Sequence, residues 1–338
     1  MRLADIGEAG LVERLLGRLA RGPGVVRGAG DDAAVLDLGG KELLLFTVDT
    51  LVEEVHFSRA YTPMRDLGAK ALAVNLSDVA AMGGRPAYAV VSLAAPAETA
   101  VADIDDLYAG LASMAARYGV AVVGGDTVRH PNGLVITVAL LGLAGRERVL
   151  YRTGAAPGDL FYVTGSLGAS AAGLFLFQNP SLACPPEVEN RLKRAHLSPE
   201  PRVAAGGLLA AGGVVSTAED ISDGLALTVA HISAAGGVGA RLLADRVPLS
   251  PEAGRLGILT GKDPLEWALF GGEDYELLFT VRPGAAAEGL EREMAAAGWP
   301  VTRIGEVLGP GEGLWLEDAA GARVPLVPGG YDAFRAEP

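Results

Sequence analysis

The amino-acid sequence predicts an α/β (α+β) protein of two domains, and three observations carry that reading. At 338 residues the chain is longer than one hydrophobic core ordinarily supports. Aliphatic runs with the length and bounding residues of strands alternate with longer segments of helical periodicity in both halves. Between the halves, residues 145–158 mix charge, Gly and Pro as a linker does. The boundary is expected at 148/149, giving domains 1–148 and 149–338.

Each element has its own signal. Residues 1–20 carry Asp5, Glu8 and Glu13 among apolar positions, which predicts an amphipathic helix and contradicts the basic-then-apolar layout of a signal peptide. Segments 41–50, 87–93, 120–123 and 134–144 read as strands bounded by Gly, Pro or Asp, and 64–82 and 100–118 as helices with small apolar faces. The second half opens on a strand at 159–164, a turn at 165–170 and a helix at 171–178. A Pro-rich insert at 179–186 follows, then a helix at 202–211, an acidic turn at 219–224, a helix at 225–235, and strands at 275–281 and 301–307. No fixed short repeat is present.

Composition narrows the function. Half the residues are apolar and a fifth charged, and the 47 glycines fall in short clusters that mark tight turns. A net charge of −13 argues against nucleic acid, whose phosphates attract clustered Lys and Arg. The longest apolar runs, such as 134–144, are too short for a membrane span. Cys184 is the only cysteine, so neither a disulfide framework nor a multi-thiolate metal site is expected, and a reducing cytoplasm fits. There is no G-x-x-x-x-G-K-[ST] loop. His56, His130, His196 and His231 lack zinc-site spacing, and Ser166 does not complete a nucleophile elbow. Cys184 reads as incidental and His231 as a core-edge residue.

Carboxylates at strand ends and beside glycines are the main chemical signal. They stand at Asp31 and Asp32, at Asp49, at Asp126 after Gly125, and at Asp220 and Asp223 around Ser222. Asp78 lies three residues after Asn75 on one face of the 64–82 helix. Any one of these serves most simply as a helix cap or an Asx turn, and Asp223, ahead of Gly224 and a helix, is the plainest cap. Five acidic segments with no comparable set of interleaved basic residues point to a metal instead. Hard oxygen ligands select Mg²⁺, which brings substrate phosphates with it.

Taken in order, seven segments resemble the thiamine-monophosphate kinases, whose superfamily includes aminoimidazole ribonucleotide synthetase, selenophosphate synthetase and a hydrogenase-maturation protein. They begin at Gly28, Thr47, Lys70, Gly124, Ser222, Gly271 and Gly330, the last being Gly330-Tyr331-Asp332. The resemblance implies a two-domain PurM-like fold, with the N-terminal mixed sheet pairing into a dimeric β-barrel and an α/β C-terminal domain. It implies several Mg²⁺ ions on Asp32, Thr47, Val48, Asp49, Asp78, Asp126, Asp220 and Asp223. Members often carry Thr where this chain has Val48; a backbone carbonyl ligand survives that change and a hydroxyl ligand does not. ATP contacts are implied at Tyr118, Gly125, Asp126, Arg152 and Ser222, and thiamine monophosphate contacts at His56, Glu273 and Tyr331. No covalent nucleophile or general base is implied. Tyr331 has a plainer role as a C-terminal anchor, Glu273 as the start of a strand, and Arg152 as a solvated linker residue. A homodimer acting on these two small molecules, without nucleic acid or membrane, is the expected protein. The alternatives are another ATP-dependent synthetase of the superfamily and a non-catalytic nucleotide-binding protein of the same fold.

Overall fold

The computed structural model describes every residue except 1, 17, 19–21, 332, 333 and 335–338, and in the first helix nothing is said of the side chains at 9 and 13. Parts of the helix predicted over 1–20 therefore lie outside the described residues, as does Asp332 of the terminal motif. The helix itself, α1 (Leu3–Leu16), is kinked at Gly7 and largely exposed.

The first sheet combines β1 (Val25–Arg27), β2 (Ala34–Leu36), β3 (Glu42–Val52), β4 (Arg85–Ala95), β5 (Ala121–Arg129) and β6 (Val135–Gly145) in the order β1-β2-β3-β6-β4-β5. Only β4 and β5 run parallel, joined by the crossover helix α3 (Val101–Tyr118). The sheet is open among the described residues, ending at β1 and β5, so the barrel expected of the first domain is not closed within one chain. One face is covered by α2 (Met64–Ala81). The other leaves Phe46, Val48, Tyr88 and Val90 exposed.

A seven-stranded sheet forms the second half, in the order β13-β12-β9-β11-β7-β10-β8. Its strands are β7 (Leu160–Thr164), β8 (Val215–Asp220), β9 (Gly239–Leu243), β10 (Leu277–Val281), β11 (Val301–Leu308), β12 (Leu314–Glu317) and β13 (Arg323–Pro325). Its helices are α4 (Ala169–Gln178), α5 (Pro186–Leu197), α6 (Val203–Gly212), α7 (Leu225–Gly236), α8 (Pro251–Thr260), α9 (Pro264–Phe270) and α10 (Ala285–Ala296). The Pro-rich insert gives way at Pro186 to α5, where proline occupies the first turn and sacrifices no hydrogen bond. Sequence periodicity also misses β1, β2 and β13, which are three residues each, because so short a strand shows no alternation.

The helix α2 organises the molecule. It is buried over most of its surface, packing on α3, on β3 and β6, and on α6 and β8 of the second half. A Cβ at Gly206 of α6 would lie 1.9 Å from the Ala80 carbonyl oxygen, so the two halves meet there by backbone contact. Polar groups along α2, namely Lys70, Asn75, Ser77 and Asp78, are consequently held in the interior between the two sheets.

Candidate active site

Strand alternation and helix position bring the predicted acids together. On β3, Thr47 and Asp49 face inward toward α2, whereas the Val48 side chain points to the opposite face and is 58% exposed. A hydroxyl at position 48 would point away from Asp49 and its neighbours. Asp78 closes the C-terminal turn of α2, and Asp32 sits in the loop before β2. Asp220 ends β8 of the second sheet. One carboxylate oxygen each of Asp32, Asp78 and Asp220 lies within 4.8 Å of the other two. Thr47 Oγ1 donates to Asp78, and Ser77 Oγ donates to Asp220 Oδ2 at 2.6 Å.

Burial dominates the electrostatics of this cradle. Desolvation raises the Asp78 carboxyl well above its ordinary range, and Asp49, Asp220 and Asp32 push it further. Asp220 is raised in the same way, by burial and then by Asp32. Asp49 is pushed up to about 6, chiefly by burial. Asp223, also raised to about 6 by burial, does not cap α7, because Gly224 holds the cap position and no side chain bonds the helix end there. That corrects the simple-cap reading.

Although no comparable set of basic residues is interleaved with the acids in the sequence, two cations stand among them in the structure. Arg152 is neither exposed nor merely solvated: its Nη2 lies 2.5 Å from Asp32 Oδ1 and 3.1 Å from Glu219 Oε1. Its backbone N–H donates to Asp31 Oδ1 at 2.6 Å. Lys70, almost fully buried, lies 2.7 Å from Glu273 Oε1. Glu219 is a buried member that sequence reasoning missed, paired with His231 Nδ1 at 2.8 Å; its place one residue before Asp220 at a strand end was the available signal. Sequence reasoning also missed Lys70 as a site group, since its position inside the apolar α2 gave no hint of its partner.

Adjacent to the acids, the three residues expected at the acceptor converge from three separate segments. The His56 and Tyr331 rings are 6.1 Å apart, and burial lowers the His56 pKa while Glu273 opposes the shift. Glu273 does not start a strand; β10 begins at Leu277, later than the expected 275, and Glu273 occupies the loop before it with φ 66°. Its N–H donates to the Ser222 carbonyl at 2.6 Å, which laces this loop to the acidic turn. A Cβ at Gly330 would lie 2.2 Å from the Asp223 carbonyl oxygen, so the chain carrying Tyr331 lies directly on that turn.

The remaining ATP candidates stand apart. Asp126 is exposed on the edge strand β5, donating nothing and accepting from its neighbour Thr127 N–H at 3.0 Å; it does not join the clustered oxygens of Asp32, Asp78 and Asp220. Gly125 beside it is required by the β4–β5 contact, since a Cβ would lie 1.9 Å from the Val91 carbonyl oxygen. Tyr118, at the end of α3, bonds Glu200 at 3.0 Å and the Pro201 carbonyl at 3.2 Å.

Could these residues hold a metal? The donors are hard oxygens from both halves of the chain, Asp32 Oδ2 and Glu219 Oε2 are buried with no hydrogen-bond partner, and like charges this close resist ionising together. The set fits a small divalent cation. Such a cradle between two α/β domains defines a class of protein, and the family models for AIR synthase related proteins match accordingly, the N-terminal domain over residues 30–144 and the C-terminal domain over 156–315. Among curated relatives, the thiamine-monophosphate kinase of Bacillus subtilis (strain 168) is 38% identical over 306 residues, 89% of this chain and 91% of the relative. That of Escherichia coli (strain K12) is 38% identical over 335 residues, 97% of this chain and 98% of the relative. The solved structure of AaThiL complexed with AMPPCP and TMP is 35% identical, covers 99% of both chains and superposes with a TM-score of 0.85. The chain belongs to the thiamine-monophosphate kinase family.

Proposed function

We infer that this enzyme transfers the γ-phosphoryl group of ATP to the phosphate of thiamine monophosphate, giving thiamine diphosphate and ADP. The observation that carries the reading is the meeting of Asp32, Asp78 and Asp220, from both halves of the chain, within 4.8 Å, beside the converging His56, Glu273 and Tyr331. The acceptor is a phosphate monoester whose second pKa is about 6, so its oxygen is largely anionic at neutral pH. Neither a strong general base nor a covalent nucleophile is needed. The obstacle is bringing two anions into line, which positioning and preorganised charge overcome.

Arg152, held between Asp32 and Glu219, is the cation the protein itself offers to the phosphates. Ser222, Gly125, Asp126 and Tyr118 complete the proposed nucleotide contacts. Asp32, Thr47, Asp49, Asp78, Asp126, Asp220 and Asp223, with the Val48 carbonyl, would hold Mg²⁺, which when bound supplies positive charge to the phosphates. His56, Glu273 and Tyr331 orient the acceptor, with the Tyr331 ring and the Glu273 carboxylate suited to its cationic thiazolium.

A homodimer belongs to the same reading. The exposed face bearing Phe46, Val48, Tyr88 and Val90, together with the fully exposed edge strand β5, is supported as the surface on which a second copy closes the barrel. We also read the domain division at 148/149, which is supported by the absence, among the described residues, of a helix or strand between the end of β6 at Gly145 and the start of β7 at Leu160. No described helix is long and apolar enough to cross a membrane, and the lone Cys184 supports a cytoplasmic setting.

The test is ADP release coupled to chromatography of the products, with thiamine monophosphate, free thiamine or no acceptor, with and without magnesium. Thiamine diphosphate is expected only from the monophosphate and only with magnesium. ADP release that ignores the acceptor overturns the assignment.

A further inference from the structure

Lys70 lies near the middle of α2 with 2% of its side chain exposed, and a buried ammonium persists only where it is paired and hydrogen-bonded. Its Nζ is 2.7 Å from Glu273 Oε1 and donates to the His196 carbonyl at 3.2 Å. The second Glu273 oxygen, Oε2, lies 3.0 Å from His196 Nδ1, and Ser170 Oγ lies 3.2 Å from that same nitrogen. Both oxygens of one carboxylate are therefore gripped, one from the first half of the chain and one from the second. About a quarter of the Glu273 side chain, 24%, remains exposed.

The backbone beneath this carboxylate is equally constrained. Glu273 and Tyr275 have φ of 66° and 50°, a region that side-chain-bearing residues occupy only when their surroundings over-determine it. Strain of this kind concentrates at ligand clamps. Burial pushes the Glu273 carboxyl up, but Lys70 and then His196 outweigh it and hold it down at about 2.

We propose that Lys70 is a positioning residue for the acceptor: it reaches across the domain interface to fix the Glu273 carboxylate in the orientation that meets the cationic part of thiamine monophosphate, without touching the substrate itself. The proposal rests on the reading of Glu273 as an acceptor contact. It separates Lys70 from a simple staple between domains, because a staple acts on folding and on both substrates alike, whereas a positioning residue acts through Glu273 and on one substrate.

Steady-state kinetics of Lys70→Met, Glu273→Gln and the double variant distinguish the two. Lys70→Met is expected to raise KM for thiamine monophosphate about tenfold or more, with KM for ATP within about twofold of the parent. In the Glu273→Gln background the same substitution should add nothing. An acceptor KM unchanged in Lys70→Met but raised in Glu273→Gln overturns the proposal and leaves the reading of Glu273 standing. An unchanged acceptor KM in Glu273→Gln overturns both. Equal rises for both substrates, or additive effects in the double variant, assign Lys70 a purely structural role. Should Lys70→Met alone fail to fold with an unpaired buried carboxylate, the neutral pair in the double variant decides: an acceptor KM equal to that of Glu273→Gln supports the proposal, and a further rise overturns it.

Discussion

Burial raises the Asp78 pKa well above the ordinary carboxylate range, and Asp49, Asp220 and Asp32 all add to the rise. In the proposed function such a group trades stability of the fold for ligand binding. Asp78→Asn should therefore lower kcat/KM by about 10²-fold or more, on the scale of losing one preorganised electrostatic group. It should also stabilise the metal-free protein by about 1 kcal/mol, read from urea unfolding in the presence of a chelator. The pH dependence follows from Asp49 and Asp223, both raised to about 6 from 3.8. The folded protein binds their protons more tightly than the unfolded chain does, so their contribution to stability is complete below about pH 4 and is lost as pH rises through about 6. Melting temperatures in chelator should fall across that window, and the fall should be shallower in Asp49→Asn. These carboxylates were visible in the sequence as acids beside glycines and at strand ends. The pairing of Arg152 with Asp32 and Glu219 was not, because the residues lie 120 and 67 positions apart and only the packing of two domains joins them.

At the scale of elements, α2 shows why function and packing cannot be separated. Its Asp78 lies in the carboxylate cluster and its Lys70 against Glu273, and its position depends on close backbone approach of its neighbours. Gly206→Ala would drive a Cβ to 1.9 Å from the Ala80 carbonyl oxygen, which neither helix can relieve without moving. The expected cost is about 1–3 kcal/mol, seen as a lower denaturation midpoint with an unchanged m-value. Because α6 and α2 come from different halves, the same substitution should raise KM for both substrates together. Helices α2, α3, α4 and α7 and most central strands were legible from periodicity. The helices α5, α8, α9 and α10 were not: prolines near the starts of the first three and the alanine-rich run of α10 conceal the apolar stripe, and tertiary packing overrides the local signal.

For the whole molecule, the open face of the first sheet is the feature a monomer does not explain. Val90 and Phe46 are 43% and 44% exposed on the inner strands β4 and β3, which flank β6, and the edge strand β5 is exposed at every position. Val90→Glu should convert the proposed dimer to a monomer in sedimentation velocity at micromolar concentration, because a buried unpaired carboxylate costs several kcal/mol at an interface. An unaltered sedimentation coefficient would overturn the proposal that this face is the dimer contact.

The sequence by itself determined the class of fold and marked Asp32, Asp78 and Asp220, which meet in the structure, since periodicity, turn residues and composition are local properties that each segment carries alone. It also carried the resemblance that named the reaction, in motifs short enough to survive without their context. Tertiary structure alone decided which acids share one cradle, that Asp126 stands outside the closest three, that Val48 faces away, and that Arg152 and Lys70 sit among the carboxylates. The physical reason is that charge interactions depend on distance and burial, and both are set by how β3, α2 and β8 pack together across the two domains.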